Sequence, residues 1–519
     1  MNQPKVTEQL RGLEAAPAES VPTLPGTPVR PRVKLVDRSQ LTWQMLDVER
    51  LIDPDHAARA IWDLVGRLKL DGFYARIEAV EGGVGRTPWD PRLLISLWIY
   101  AYSRGISSAR EIARRCTYEP AFQWLCGLGE INHHTLSDFR VEHDASLREL
   151  FVQVLGVLST EGLVSLQRVM HDGTRIKACA GADSFRREER LKEHLEAARQ
   201  RVAAMGDPRQ EEPKRKRAAQ ERAVRERQQR LEQALEEVQK ARQAKRHDKE
   251  QARASQSDPQ ARIMKQSDGG YAPSYNVQLS TEASHRIIVG AQVSQSPNDF
   301  IHLIGAVAQV EANLGQKPAQ VVVDAGFTSR ENILSMAEQG VDLVGPLAEA
   351  NLSWAGQQRQ RGVSEKFDLD KFSYDAKKNV YRCPAGKILR HKGREFGPGV
   401  VIHKYTAKIE TCAVCQFRSQ CCPGNHYHGR SVTRAERSPT LTQFAQKMQT
   451  DAAKAIYRQR GGVAEFPNAW LKDKLGLRQF RLRGLVKVGL EVLWAALTYN
   501  IQQWIRLSWR AKLTLANNN

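Results

Sequence analysis

Three carboxylates stand far apart in the chain, each in a setting that suits metal-dependent phosphoryl transfer. Asp172 ends the apolar run Val169-Met170-His171 and is followed by Gly173-Thr174. Asp324 follows Val321-Val322-Val323 and precedes Ala325-Gly326. Glu465 lies in a basic, helix-like segment with Lys472 seven residues later. Magnesium takes oxygen ligands, and two such ions roughly 3.5–4 Å apart activate an attacking oxygen and stabilise a leaving one. Such a centre needs one carboxylate to bridge both ions and at least one more for each. Asp172 and Asp324 at strand ends would supply the bridge and one flank, and Glu465 the other. The ordinary alternative for each Asp alone is a turn cap, which the following glycines would suit.

The third segment reads Tyr457-x2-Arg460-x4-Glu465-x6-Lys472. On a helix, Glu465 and Lys472 share a face, so the Glu can hold metal while Arg460 and Lys472 grip phosphates. Lys474, Arg478, Arg481, Arg483 and Lys487 continue a positive path. The alternative is a surface helix with Glu–Lys pairs. The whole composition agrees with a polyanionic partner: 519 residues carry 78 Lys and Arg against 58 acids, a net charge of +20. Cations that neutralise phosphates release condensed counterions, which favours nucleic acid over a small acidic ligand. A ribosome-associated or simply basic protein is the bland alternative.

The elements that must hold these residues follow from periodicity. From Trp43 to about His143 the pattern is helical. Pro91–Tyr102 is apolar all round, as a buried helix should be, and Ser108 with Glu111 makes a capping-box signature. His133-His134 opens a further helix. This region suits either a helix-turn-helix DNA-binding module or a packing domain. Then come a strand from Ser165 to Lys177, a hairpin (Tyr275–Ser280 and His285–Val293), and a helix from Asp299 to Leu314. A strand over Ala319–Val323, a helix over Ser329–Gln339 and a strand over Val341–Pro346 follow. That order is the order of a ribonuclease H-like α/β mixed-sheet core with Asp172 and Asp324 on its first and fourth strands.

The expected organisation is a Pro-rich arm (1–40), a helical N-terminal domain (41–160), a core split into 161–184 and 271–352, and a C-terminal region (438–510) carrying Glu465. Two insertions interrupt it. Residues 185–270 lack aromatics between Phe185 and Tyr271 and are charge-laced, with Leu191 and Leu195 a turn apart and Val224, Leu231 and Val238 at sevens. They should form two antiparallel helices turning near Gly206-Asp207-Pro208. Residues 353–437 hold Cys383 and Cys412-x2-Cys415-x5-Cys421-Cys422. Thiolates two apart on a turn, joined by Cys383, suit a structural tetrahedral zinc. The fourth ligand is open among Cys421, Cys422, His426 and His428, with Cys421 taken as the choice. Cys116, Cys126 and Cys179 are expected to be buried apolar residues.

Clustered cysteines without an apolar leader favour metal binding in a reducing compartment over disulfides. The first 32 residues contain six prolines and suit a disordered arm. Leu485–Ile505 is interrupted by Lys487 and Glu491, so a buried helix is expected there and no membrane span. The expected location is cytoplasmic, with the nucleoid.

The chain resembles the bacterial insertion-sequence transposases of the DDE type, in the group with a Tyr–Arg–Glu–Lys signature. The resemblance runs through Ser107-Ser108-Ala109-Arg110, Asp172-Gly173-Thr174, Tyr275-Asn276-x-Gln278, Asp324-Ala325-Gly326-Phe327, the cysteine-rich insertion, Glu465, Arg483-Gly484 and Asn500. It implies that Asp172, Asp324 and Glu465 bind two Mg2+ or Mn2+ ions, and that Tyr457, Arg460 and Lys472 contact DNA near the cut, with Arg478, Arg481 and Arg483 along the path. It also implies terminal inverted repeats and target DNA as partners, a homodimer that joins two ends, cleavage at element ends and strand transfer. One departure stands out: four residues separate Arg460 from Glu465, where the family has three. The rival readings are a nuclease of the same core that never joins strands, and a DNA-binding regulator that has lost catalysis.

Overall fold

The computed structural model describes residues 45–79, 87–204, 214–244, 248–347, 358–359, 361–423 and 428–517. Its central sheet has six strands: β1 (Arg168–Lys177), β2 (Arg262–Lys265), β3 (Tyr271–Glu282), β4 (Ile288–Ser294), β5 (Gln320–Val322) and β6 (Asp342–Val344). β3 runs antiparallel to β1, with Asp172 opposite Leu279 and Gly173 opposite Gln278. β4 and the short β2 share the outer edge of β3, both antiparallel. On the other side β5 lies parallel to β1, and β6 parallel to β5. The lateral order is therefore β4-β3-β1-β5-β6. Val321, Val322 and Val323 are fully buried, as the β-branched run of an interior parallel strand should be.

Two helices connect the strands. Leu303–Leu314 buries Leu303, Ala306, Val307 and Val310, the face expected from its periodicity. It begins at Leu303 rather than Asp299, because the Asp299 carboxylate is engaged by β3 side chains instead of capping a helix. Arg330–Glu338 starts at Ser329, whose hydroxyl accepts from the Asn332 amide.

Residues Val48–Asn519 form one unit, and its hydrophobic core crosses the boundary expected at residue 160. The helix Pro91–Ser103 is buried almost throughout and packs on the C-terminal helix Leu485–Trp504, which also covers β4 and the helix Asp144–Thr160. Trp98 and Trp494 pack together, donating to the carbonyls of Leu136 and Arg140. Ser108 caps the helix Ala109–Arg115, accepting from Glu111 at 3.4 Å. The Glu111 carboxylate turns to Arg114 and Arg115 instead of closing the box.

The charged insertion is a pair of helices, Glu188–Ala204 and Lys214–Ala244. They meet along Leu191, Leu195, Ala198, Leu231, Ala234 and Val238; the turn expected at Gly206-Asp207-Pro208 lies outside the described residues, as does the arm 1–40. The cysteine-rich insertion carries an antiparallel five-stranded meander that cysteine spacing alone did not suggest: Ser373–Asp375, Val380–Arg382, Ile388–Gly397, Val400–Thr406 and Ser431–Arg437. No described helix is long and apolar enough to cross a membrane.

Candidate active site

The residues after Thr450 form one helical rod interrupted by a π turn. Asp451–Arg458 is α-helical, Gly461–Glu465 is π, and Phe466–Asp473 is α-helical again. The local sequence explains the interruption. Gly461-Gly462 is a poor α-helix former, and Pro467 has no N–H to give to the preceding turn and would clash with its carbonyl. A π turn bonds i to i+5 where an α turn bonds i to i+4, and such turns recur at functional sites. Glu465 therefore stands to Arg460 as a residue one shorter in spacing would on an α-helix, and the extra residue between them is absorbed. The Glu465 carboxylate is exposed and folds back over Gly461, where an added Cβ would sit 3.7 Å from its Oε1.

This rod lies on the face of β1 that presents Met170, Asp172 and Thr174. Ala464 is buried against Met170, Val322 and Val344, with Tyr457 packed beside them. Arg460 Nη2 stands 2.7 Å from Asp172 Oδ1 and 3.7 Å from Asp324 Oδ2. Asn468 Nδ2 donates to the other Asp172 oxygen at 2.9 Å, and Lys472 Nζ to Thr174 Oγ1 at 2.5 Å. Asp324 leaves the end of β5 and accepts from the Gly326 amide at 2.8 Å. Burial pushes the Asp172 carboxyl up to about 6, Asp324 adding to the effect and Arg460 opposing it. Burial also draws the Lys472 ammonium below its usual range, helped by Arg478.

Asp172, Asp324, Arg460 and Lys472 are thus brought together, with Glu465 on the same rod but touching neither Asp. Among the described residues no three His, Cys, Asp or Glu side chains converge at metal-ligating distance. The other basic residues lie further along. Arg478 pairs with Asp473, Arg481 is exposed with its backbone N–H on Glu491, and Arg483 donates to the Cys179 carbonyl. Lys177 donates its N–H to the Arg478 carbonyl, and its own carbonyl accepts from the Phe480 N–H, which extends β1 toward this segment.

Sequence reasoning missed two features. Asn468 is one turn beyond Glu465, and nothing in its local sequence marks it out. The second is a buried polar network on the opposite face of β1. His171 contacts Ser280 and Gln278 at 2.9 Å each, and Gln278 and Asn276 both donate to Asp299 Oδ1, at 2.9 and 2.7 Å. Arg175 holds Asp299 Oδ2. Burial lowers the His171 imidazole to about 4, so it is neutral near pH 7. The network explains Gly173: a Cβ there would meet Asp299 Oδ1 at 2.5 Å and Gln278 Nε2 at 2.6 Å. Gly173→Ala is expected to destabilise the protein by about 1–3 kcal/mol through overpacking, read as a lowered denaturant midpoint.

In the other insertion, Cys383, Cys412, Cys415, Cys421 and Cys422 line one cavity of about 20 Å³. Backbone amides of Lys387 and Arg430 point at the sulfurs of Cys383 and Cys412. Burial pushes the Cys421 thiol up to about 12. Among the described residues, no three of these thiols form a group that could hold a metal ion as they stand. His428 is not part of that lining, and His426 lies outside the described residues.

Two family models match the chain. Residues 382–505 match a transposase DDE domain and residues 46–142 a second transposase domain, DUF772. Glu465 lies inside the first match; Asp172 and Asp324 lie outside both. The two matches, which together cover less than half of the chain, support an insertion-sequence transposase of the DDE type. Among solved structures, a piggyBac transposase synaptic complex with hairpin DNA, determined by cryo-EM, is similar at 8% identity and a TM-score of 0.28. The match covers 86% of this chain and 73% of that one, a likeness too distant to bear on the fold. No curated protein matches.

Proposed function

We propose that this transposase cuts DNA at the ends of its element and joins the freed 3′-hydroxyls to target DNA, using Asp172, Asp324 and Glu465 with divalent metal. The observation that carries the reading is the pair Asp172 and Asp324, one on β1 and the other just past the end of the adjacent parallel strand β5, both facing one guanidinium cation. The order β4-β3-β1-β5-β6, with Asp172 on β1 and Asp324 just beyond the end of β5, supports a ribonuclease H-like core. Two carboxylates already arranged around a cation, with the buried Asn468 Oδ1 beside them lacking a partner, suit a hard metal ion. Bound Mg2+ or Mn2+ would supply charge neutralisation of the phosphoryl oxygens and an activated attacking oxygen. The chain's own part is to orient. Lys472 and Arg460 place phosphates against the carboxylates, and Arg478, Arg481 and Arg483 extend the basic path for the strand. The N-terminal helices offer Arg110 as an exposed cation for DNA; Arg140 is buried under Trp98 and is structural. Two ends joined in concert call for a homodimer working on nucleoid DNA.

The test is incubation of a DNA end from the flanking element with Mg2+ or Mn2+, followed by a pre-cleaved end with target DNA. Nicked ends and joined products support the reading. Nicks without joining favour the nuclease, and binding without cleavage favours the regulator.

The five cysteines around one cavity support structural zinc held by Cys383, Cys412, Cys415 and Cys421. The purified chain is expected to carry one zinc per chain by elemental mass spectrometry, and Cys412→Ser to lose it. A metal-free wild-type chain of unchanged stability would refute this.

A further inference from the structure

We propose that Arg460 is a resident counter-cation that keeps metal out of the Asp172–Asp324 pair until a DNA phosphate draws it away, so that metal loading is coupled to DNA binding. The inference rests on the metal-dependent reading of the same site and adds its regulation. Arg460 Nη2 is 2.7 Å from Asp172 Oδ1 and 3.7 Å from Asp324 Oδ2, the place between two carboxylates that a bridging cation would take. The remaining oxygens are also engaged: Asp172 Oδ2 by Asn468 Nδ2 at 2.9 Å, and Asp324 Oδ1 by the Gly326 amide at 2.8 Å. A metal ion therefore has to displace protein donors to enter.

The guanidinium has only one way out. It cannot lose its proton at any ordinary pH, so it vacates the site by moving. Its present bonding is incomplete, because the buried Nε has no hydrogen-bond partner. A phosphate offers two oxygens in the fork geometry that Arg matches best. The side chain is 13% exposed, so it is not sealed from solvent, and Lys472 lies further along the same strand face, on Thr174. Its backbone stands directly before the π turn, a local irregularity of the kind that recurs at functional sites.

Mn2+ binding to the full chain, followed by the electron paramagnetic resonance signal of free Mn2+, tests the idea without reference to activity. Wild type, Arg460→Gln and Arg460→Lys are compared with and without a short blunt duplex of arbitrary sequence, and duplex alone is subtracted. Without DNA, Arg460→Gln is expected to bind Mn2+ about tenfold tighter than wild type, a difference of about 1.4 kcal/mol. The duplex should tighten wild type by a similar factor and Arg460→Gln hardly at all. Arg460→Lys, which keeps a cation and so protects the fold, should fall between them. Thermal unfolding without metal confirms that each variant is folded, and if Arg460→Gln is not, Arg460→Lys decides. Equal Mn2+ affinity in wild type and the folded variants without DNA overturns the gate. If Asp172→Asn abolishes Mn2+ binding in that case, the metal site itself stands. Mn2+ binding that is unaffected by Asp172→Asn removes the metal reading and the gate together.

Discussion

Glu465→Gln is expected to lower metal-dependent cleavage of a DNA end about a thousandfold while leaving the unfolding midpoint in place. Loss of a ligand that stabilises developing charge is worth several kcal/mol, and about 4 kcal/mol corresponds to a thousandfold in rate. The fold should not notice the change. The Glu465 side chain is exposed, and surface substitutions away from structural partners stay within about 0.5 kcal/mol. Asp172→Asn is a less discriminating probe, since Asp172 is partly buried and holds both Arg460 and Asn468. Changing it moves stability and activity together. Single-turnover cleavage, alongside a denaturant titration of both proteins, separates the two cases. Cleavage by Glu465→Gln at the wild-type rate would remove Glu465 from the chemistry.

Much of the frame was legible because its signals are local. The β-branched run before Asp324, the apolar helix Pro91–Ser103 and the face Leu303-Ala306-Val307-Val310 each follow from periodicity, and all are buried as expected. What was not legible depends on pairing across the chain. The spacing from Arg460 to Glu465 looked like a departure because it was counted on an α-helix, and the π turn appears only when the rod is seen. Asn468 carried no signal of its own, since an Asn on a helix is usually solvated, and its role comes from meeting Asp172 nearly three hundred residues earlier. The motif Tyr275-Asn276-x-Gln278 was recognised as a pattern without a reason. Its reason is alternation on β3: Tyr275 donates to Asp258, while Asn276 and Gln278 hold Asp299. The strands of the cysteine-rich insertion were hidden because exposed, charged segments such as Ile388–Gly397 lack an apolar face over much of their length.

Asn500→Leu is expected to cost about 3–5 kcal/mol of folding stability. Asn500 is fully buried. Its Oδ1 accepts from the Ile288 amide at 2.9 Å and its Nδ2 donates to the Ile288 carbonyl at 2.8 Å. β4 is an edge strand, so these backbone groups have no neighbouring strand, and the side-chain amide takes its place. Leucine fills the volume but leaves one buried N–H and one buried C=O unpaired, at about 1–3 kcal/mol each. The helix that carries Asn500 also holds Arg286 through Tyr499, and the amides of Arg481 and Leu482 through Glu491. It therefore fixes both the sheet edge behind β3 and the start of the basic path. A drop in urea midpoint at constant m-value would place the effect in the native state, and Asn500→Asp should not rescue it, because a carboxylate cannot donate to the Ile288 carbonyl. A midpoint unchanged within about 0.5 kcal/mol would mean that β4 is held by its apolar contacts alone.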